Sequence, residues 1–224
     1  MAILLNIETS GQIASVSISN NAEILNSTVN IEQKDHAAWL HSSINDMMKI
    51  SSIRLEDINA VAVSIGPGSY TGLRVGLSAA KGFCYALNIP LITIGTLKII
   101  ANAIEKENGT LICPMIDARR MEVFAALYDN ILTEIVAPHA EIIHENSFIE
   151  WLENQKIVFC GSGSIKLQKA VYHPNAIFNF HDDYRQSLAL LAYNSYDGKV
   201  FPKLAYTEPL YIKEFYSPTR KPLI

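Results

Sequence analysis

Ile65-Gly66-Pro67-Gly68-Ser69-Tyr70-Thr71-Gly72-Leu73-Arg74-Val75-Gly76 is the stretch that decides how this chain is read. Before it, Ala60-Val61-Ala62-Val63-Ser64-Ile65 is a short, nearly continuous apolar run, the pattern of a strand buried on both faces. After it, Leu73 to Leu87 carries helix-forming residues and stops at Asn88, with Pro90 two places on. The stretch predicts strand, glycine turn, helix. Gly66 precedes a proline and is expected to be extended, while Gly68 can take positive φ. Ser69 or Thr71 can cap the helix by accepting from its first N–H groups.

A turn of this kind can cradle phosphate, because free N–H groups and the helix dipole point at it. Gly66, Gly68 and Ser69 are therefore phosphate-loop candidates. Two well-known patterns fit poorly. A P-loop needs Lys-Ser/Thr after its last glycine, where this chain has Leu73-Arg74. A dinucleotide site needs an acid after the next strand, where Leu91 to Ile94 ends in Gly95-Thr96. The other reading is packing: Gly72, Gly76, Ala79, Ala80 and Phe83 share one helical face, a smooth groove with a bulky plug. The residues favour packing over phosphate binding.

The chain has 224 residues, enough for one large domain or two lobes. With 49% apolar residues and a net charge of −4, neither disorder nor a basic nucleic-acid surface is indicated. Cys84, Cys113 and Cys160 are scattered in apolar surroundings and read as buried free thiols in a reducing compartment. Met1-Ala2-Ile3-Leu4-Leu5 lacks a basic flank and is cut short by Asn6 and Glu8, which argues against a signal peptide. No apolar run is long enough to span a membrane. The expectation is a soluble, cytoplasmic protein.

In chain order, Ile3 to Glu8 reads as a buried strand and Thr9-Ser10-Gly11-Gln12 as a turn. Ala14, Val16 and Ile18 alternate with Ser15, Ser17 and Ser19 as a half-buried second strand, and Glu23 to Ile31 makes a third. Asp35 can cap a helix from His36 to about Ile50, with Ala37, Leu40, Ile44 and Met47 or Met48 inward. The central strand and helix follow, then Leu91 to Ile94 and a helix from Thr96 to Lys106. After Asn108-Gly109 the order returns: strands at Leu111–Asp117, Glu122–Tyr128 and Ile131–Ala137, and a helix at Ser147–Glu153. Ile157–Cys160, a glycine turn and helix to Val171, Ile177–Phe180 and Ser187–Tyr196 complete it. Two βββαβα units in tandem predict a duplicated ribonuclease-H-like fold, with lobes at 1–107 and 108–224.

In such a fold, nucleotide phosphates sit between the two first hairpins, which need an acid and small residues. Glu8-Thr9-Ser10-Gly11 suffices; Asp117-Ala118-Arg119-Arg120-Met121 is bulky and has no glycine. Gly161-Ser162-Gly163 stands where a turn would contact the base. A working ATPase is half-furnished, and a degenerate nucleotide fold fits better. Nuclease chemistry needs converging carboxylates, and the central strand ends in Gly66. His36 and His41 are five apart, on different helix faces, and His139, His144, His173 and His181 show no ligand spacing, so no metal site is expected. Gly68-Ser69 lacks the spacer of a nucleophile elbow. Trp39 lies off the inner stripe and is either covered by loops or awaiting a partner.

Ile65 to Gly76 resembles the signature of the bacterial TsaB (YeaZ) family. So do Leu5-Asn6-Ile7-Glu8-Thr9-Ser10, His36, Ile116-Asp117-Ala118-Arg119-Arg120 and Glu208-Pro209-Leu210-Tyr211. The resemblance implies an actin/Hsp70-like (ASKHA) fold. It also implies a non-catalytic subunit in making threonylcarbamoyladenosine in tRNA, pairing with the metal-bearing transferase TsaD and joined by the ATPase TsaE. Pairing, with TsaD or with a second copy, would run through the first-lobe helices: His36, Trp39, Leu40, Ser43, Gly72, Arg74, Gly76, Ala79, Ala80 and Phe83. ATP or ADP would belong to the assembled complex, and tRNA would be reached through it. Glu8 stands where the family usually has Asp, and Met121 replaces the usual glycine of its turn. An independent sugar- or acid-kinase-like enzyme and a peptidase remain as other classes.

Overall fold

The computed structural model describes residues 1–32, 36–105 and 107–213, without the side chain of His36. The Asp35 cap, the His36 contact and the helix end at Lys106 lie outside the described residues.

Five strands form the first sheet: β1 (Ile3–Glu8), β2 (Ala14–Asn20), β3 (Glu23–Asn30), β4 (Ala60–Ser64) and β5 (Leu91–Ile94), in the order β3-β2-β1-β4-β5. β1 runs antiparallel to β2 and parallel to β4, with Ile7 opposite Val16 and Val63. The second sheet repeats this with β6 (Thr110–Asp117), β7 (Glu122–Tyr128), β8 (Glu134–Ile142), β9 (Lys156–Cys160) and β10 (Ala176–Asn179), in the order β10-β9-β6-β7-β8. The duplicated actin/Hsp70-like α/β fold follows from this repeat.

Among the described residues, six helices cover the sheets: α1 (His36–Ser51), α2 (Tyr70–Leu87), α3 (Thr96–Asn102), α4 (Ile149–Leu152), α5 (Ser164–Ala170) and α6 (Arg185–Asp197). Leu40, Ile44 and Met47 of α1 and Leu77 and Ala80 of α2 bury the front of sheet one against Leu5, Ile7 and Val63. Burying each large side chain contributes about 1.5–3 kcal/mol. Ala37 is exposed, one turn ahead of that stripe, contrary to the inward position expected of it.

The boundary at 107/108 separates the strands of the two sheets, but the helices cross it. Leu188, Leu191 and Ala192 of α6 cover the rear of sheet one, against Leu4, Ala62 and Ile92. Leu97, Ile100 and Ala101 of α3 pack on the second sheet with Ile112, Ala126 and Tyr128. The two helices meet where the Ser187 hydroxyl donates to the Ile99 carbonyl and accepts from Asn102 Nδ2.

Four elements differ from the sequence expectation. β2 is buried on both faces rather than half-buried, its Ser17 and Ser19 hydroxyls accepting from Asn6 Nδ2. β8 starts at Glu134 rather than Ile131, because Asp129 Oδ1 accepts from Ile131 and Thr133 N–H and closes a turn there. Phe148 has φ 65°, which cuts the expected helix at Ser147 to one turn. α3 stops at Asn102. Among the described residues, no helix is long and apolar enough to cross a membrane.

Candidate functional site

Ser69 caps α2, its hydroxyl accepting from Gly72 N–H at 3.3 Å, and Asn88 closes the helix at φ 54°. The turn before it reverses the expected glycine roles. Gly66 has φ +116° and is joined to Pro67 by a cis bond, while Gly68 is not at positive φ. A side chain on Gly68 would run into the Ser10 backbone, and Ser69 N–H donates to the Ser10 carbonyl at 2.7 Å. The turn grips the β1–β2 loop instead of opening towards a ligand.

The small face of α2 points the same way. A Cβ on Gly72 would strike the Thr9 carbonyl, one on Gly76 would strike Thr9 Oγ1, and Thr9 Oγ1 donates to the Gly72 carbonyl at 2.7 Å. Ala79 and Ala80 are buried in the same core. Gly72, Gly76, Ala79 and Ala80 are therefore no groove for a partner, and this corrects the interface expected from the sequence; they let α2 seat directly on β1. Leu40 is buried too, while Trp39 and Phe83 are half-buried against the core. Ser43 is half-buried. The Arg74 guanidinium lies 4.1 Å from the Tyr70 ring and donates to the Tyr211 hydroxyl at 3.0 Å, with Tyr70 and Tyr211 stacked at 4.9 Å. These contacts tie residues 204–213 across α2, where Leu210 N–H donates to the Ile65 carbonyl and Lys81 to those of Ala205 and Thr207. Lys213 then pairs with Glu122 of the second lobe.

Between the lobes lies a cavity of about 330 Å³. Of the nucleotide-site candidates, Glu8, Ser10 and Gly161 line it; Thr9, Gly66, Gly68, Ser69, Asp117 and Gly163 do not. Glu8 Oε1 accepts from Ser10 N–H at 2.6 Å, from the Ser10 hydroxyl and from the Ser64 hydroxyl at 2.9 Å. Its Oε2 is buried and makes no hydrogen bond, and the same holds for Thr96 Oγ1. Although Glu8 as a whole is only half-buried, its carboxyl is enclosed, and that desolvation pushes its pKa up against the lowering effect of the Ser10 and Ser64 bonds.

The rest of the wall includes Ile13, Val29, Ile99, Ile100, Ile165 and the segment Phe180 to Arg185, with Gly11, Gln12, Ser15 and Ser162 among them. Sequence reading missed that segment and Thr96. Thr96 drew notice only for not being an acid; Asp182-Asp183, three and two positions before Arg185, was the available signal for the segment. Asp183 clamps Arg185, accepting from Nε at 2.8 Å and from Nη2, and Arg185 Nη1 donates to Ser27 at 2.8 Å.

The second hairpin is rebuilt around its missing glycine. Arg119 and Arg120 carry φ 70° and 50°, so the left-handed positions fall before Met121, which is half-exposed and free of that strain. Asp117 accepts from Arg119 N–H at 2.6 Å and pairs with Lys166. The fold suggests a nucleotide between the lobes, but these residues suit a polyphosphate badly. Among the described residues, Arg185 and His181 are the basic side chains that line the cavity, and Asp183 already holds Arg185. Among the described residues, no group of three or more His, Cys, Asp or Glu could hold a metal.

A two-lobed protein of the actin/Hsp70-like class is what this architecture defines. Residues 23–196 match the family described as TsaD, tRNA N6-adenosine threonylcarbamoyltransferase, and the chain belongs to that family, with TsaB (YeaZ) proteins as its relatives. It is 28% identical over 155 residues to the tRNA threonylcarbamoyladenosine biosynthesis protein TsaB of Bacillus subtilis, covering 68% of this chain and 66% of that one. With TsaB of Escherichia coli the identity is 33% over 126 residues, 56% of this chain and 54% of that one. The alignments thus span about two thirds and about half of those relatives. The solved structure of YeaZ from Pseudomonas aeruginosa superposes with a TM-score of 0.79 at 22% identity, over 94% of this chain and all of that one.

Proposed function

We propose that this chain is a non-catalytic subunit in the synthesis of threonylcarbamoyladenosine in tRNA, supporting a TsaD-type transferase. One observation carries the reading: the chain matches a transferase family over residues 23–196 without bringing together, among the described residues, the ligand set a catalytic metal needs. The names of its TsaB relatives support the same process. Its net charge of −4 suits contact with tRNA through the assembly rather than by this chain alone.

The surface offered to TsaD, or to a second copy in isolation, is the outer side of α1 and α2. There Ile50 and Tyr85 are 78% and 83% exposed, and a groove of about 490 Å³ runs among His41, Met48, Ile53, Leu55 and Phe83. A stable pair would bury about 1,200–2,000 Å² in total. TsaE joins the assembled pair, and any ATP or ADP belongs to that assembly.

The test is reconstitution of tRNA modification with TsaD and TsaE from the same cell, read by mass spectrometry of nucleosides. Modification should fall away when this chain is omitted, and the chain alone should give none. Undiminished modification in its absence refutes the reading. So does ATP turnover by the pure chain above about one per second, in the range of ordinary enzymes, that Glu8→Ala abolishes.

A further inference from the structure

Asparagine followed by glycine is the junction at which a peptide chain rearranges most readily. With no Cβ on the next residue, its backbone nitrogen can approach the asparagine side-chain carbon. The chain has one such junction, Asn108-Gly109, and one aspartate counterpart, Asp197-Gly198. The fold treats the two differently. Gly198 N–H closes α6 by donating to the Asn194 carbonyl at 3.0 Å, so its nitrogen is held back along the helix. Gly109 N–H makes no hydrogen bond among the described residues. Asn108 and Gly109 are both exposed, and a Cβ on Gly109 would meet nothing within 4 Å. The turn is closed around the pair, by Thr110 N–H donating to the Glu107 carbonyl at 3.2 Å. Asn108 Oδ1 accepts from Asn130 Nδ2 at 2.7 Å, which draws electrons from Cγ.

We propose that Asn108 is a self-modification site, converting to isoaspartate in the folded protein. Gly109 N attacks Asn108 Cγ, the Cγ–Nδ2 bond breaks, and Nδ2 leaves as ammonia with the proton from Gly109 N. Water then opens the cyclic imide. Addition at the Asn108 main-chain carbonyl breaks the bond from that carbon to Gly109 N and leaves the chain running through Cβ and Cγ, as isoaspartate. Addition at Cγ gives aspartate. Either product carries a new negative charge, but only isoaspartate adds a carbon to the main chain. That carbon lengthens the path from Glu107 to Thr110, whose bond closes the turn. Thr110 is buried and opens β6, the middle strand of the second sheet, paired there with Lys156. The modification therefore loosens the entry to β6.

The full chain is incubated at 37 °C and pH 8, digested and mapped by mass spectrometry, with isoaspartate told from aspartate by electron-transfer fragmentation. Asn108 should convert first among the asparagines, with isoaspartate the major product. Its rate should lie within about tenfold of that of a synthetic peptide of residues 105–113, a barrier difference below about 1.4 kcal/mol. Gly109→Ala should slow the conversion by at least about tenfold. The isoaspartate form, separated by ion exchange, should melt about 2–4 °C below the fresh chain. Asn108→Asp, with the same charge and an ordinary main chain, should melt with the fresh chain. A native rate more than about tenfold below the peptide's overturns the proposal, as does faster conversion at another asparagine or an unslowed Gly109→Ala. Equal melting of the isoaspartate form and Asn108→Asp overturns the loosening of β6. None of these readings depends on partner pairing.

Discussion

Replacing Gly72 by Ala tests the seat of α2 on β1 directly. The new Cβ would occupy the place of the Thr9 carbonyl, a backbone atom that no rotamer change can move aside. Either the helix or the β1–β2 loop must shift, and overpacking of this kind costs about 1–3 kcal/mol. The shift also breaks the 2.7 Å bond from Thr9 Oγ1 to the Gly72 carbonyl. Thr9 is fully buried, so its hydroxyl loses about 1–3 kcal/mol with no water to replace the bond. Alanine returns about 1 kcal/mol of helix propensity. The net expectation is a loss of about 3 kcal/mol. With an m-value of about 3 kcal/mol/M, the urea midpoint falls by about 1 M. Urea denaturation followed by far-UV circular dichroism measures it. A midpoint unchanged or raised would mean that α2 stands off the sheet and that its small face is open to a partner after all.

Glu8→Gln should remove a pH dependence of stability. Because the folded-state pKa of Glu8 is raised by burial, its contribution is fully present below the unfolded value near 4.5 and is lost as pH rises through the folded pKa. The variant should therefore gain on the wild type at pH 7 and not at pH 4; an equal difference at both would disprove the assignment. Arg120→Gly should stabilise by about 0.5–1 kcal/mol, the left-handed strain of about 1–2 less the entropy cost of glycine. Met121→Gly should instead lose about 0.5–1 kcal/mol in the same thermal melt, since Met121 is not at positive φ. Tyr85→Ala should leave the melting temperature alone and weaken pairing by about 2 kcal/mol in size-exclusion titrations, if that ring is an anchor. Tyr211→Ala, which removes the stack on Tyr70 and the Arg74 contact, should speed trypsin cleavage at Lys203 without lowering the midpoint by more than about 1 kcal/mol.

The strands were legible because they write their own signature. Ala60 to Val63 is apolar throughout because β4 lies between two covered faces, and the buried strand appeared where expected. The cap at Ser69 and the stop at Asn88 are local chemistry and were equally readable. What failed was direction. Small residues on a helix face permit close approach, but sequence does not say whether the approaching backbone is Thr9 of the same chain or a partner's helix. The cavity was half-visible for a related reason. Glu8 ends the recognisable strand β1 and Gly161 opens a recognisable glycine turn, whereas Thr96 and Phe180 reach it only because the two sheets face each other across residues far apart in the chain. Gly66, not Gly68, has the positive φ, and the Leu210 backbone crosses so closely over it that no Cβ fits, a contact from 144 positions away that no local pattern announces.

The crossing of α3 and α6 bears on how the molecule comes into being. Gln186 donates to the Ala22 carbonyl across 164 positions of chain, and Arg185 to Ser27 across 158. Until α6 has been synthesised, Leu4, Ala62 and Ile92 present a bare apolar sheet face, while α3 carries Leu97 and Ile100 with no second sheet to receive them. A nascent chain stopped after residue 107 is therefore an unfinished object rather than a small domain, sticky on two sides and a natural client for chaperones. Contacts that close such long loops also make for slow assembly, since most of the chain must be ordered before the rear of sheet one is rewarded. The two halves expressed as separate polypeptides should each aggregate, and should become soluble when made together.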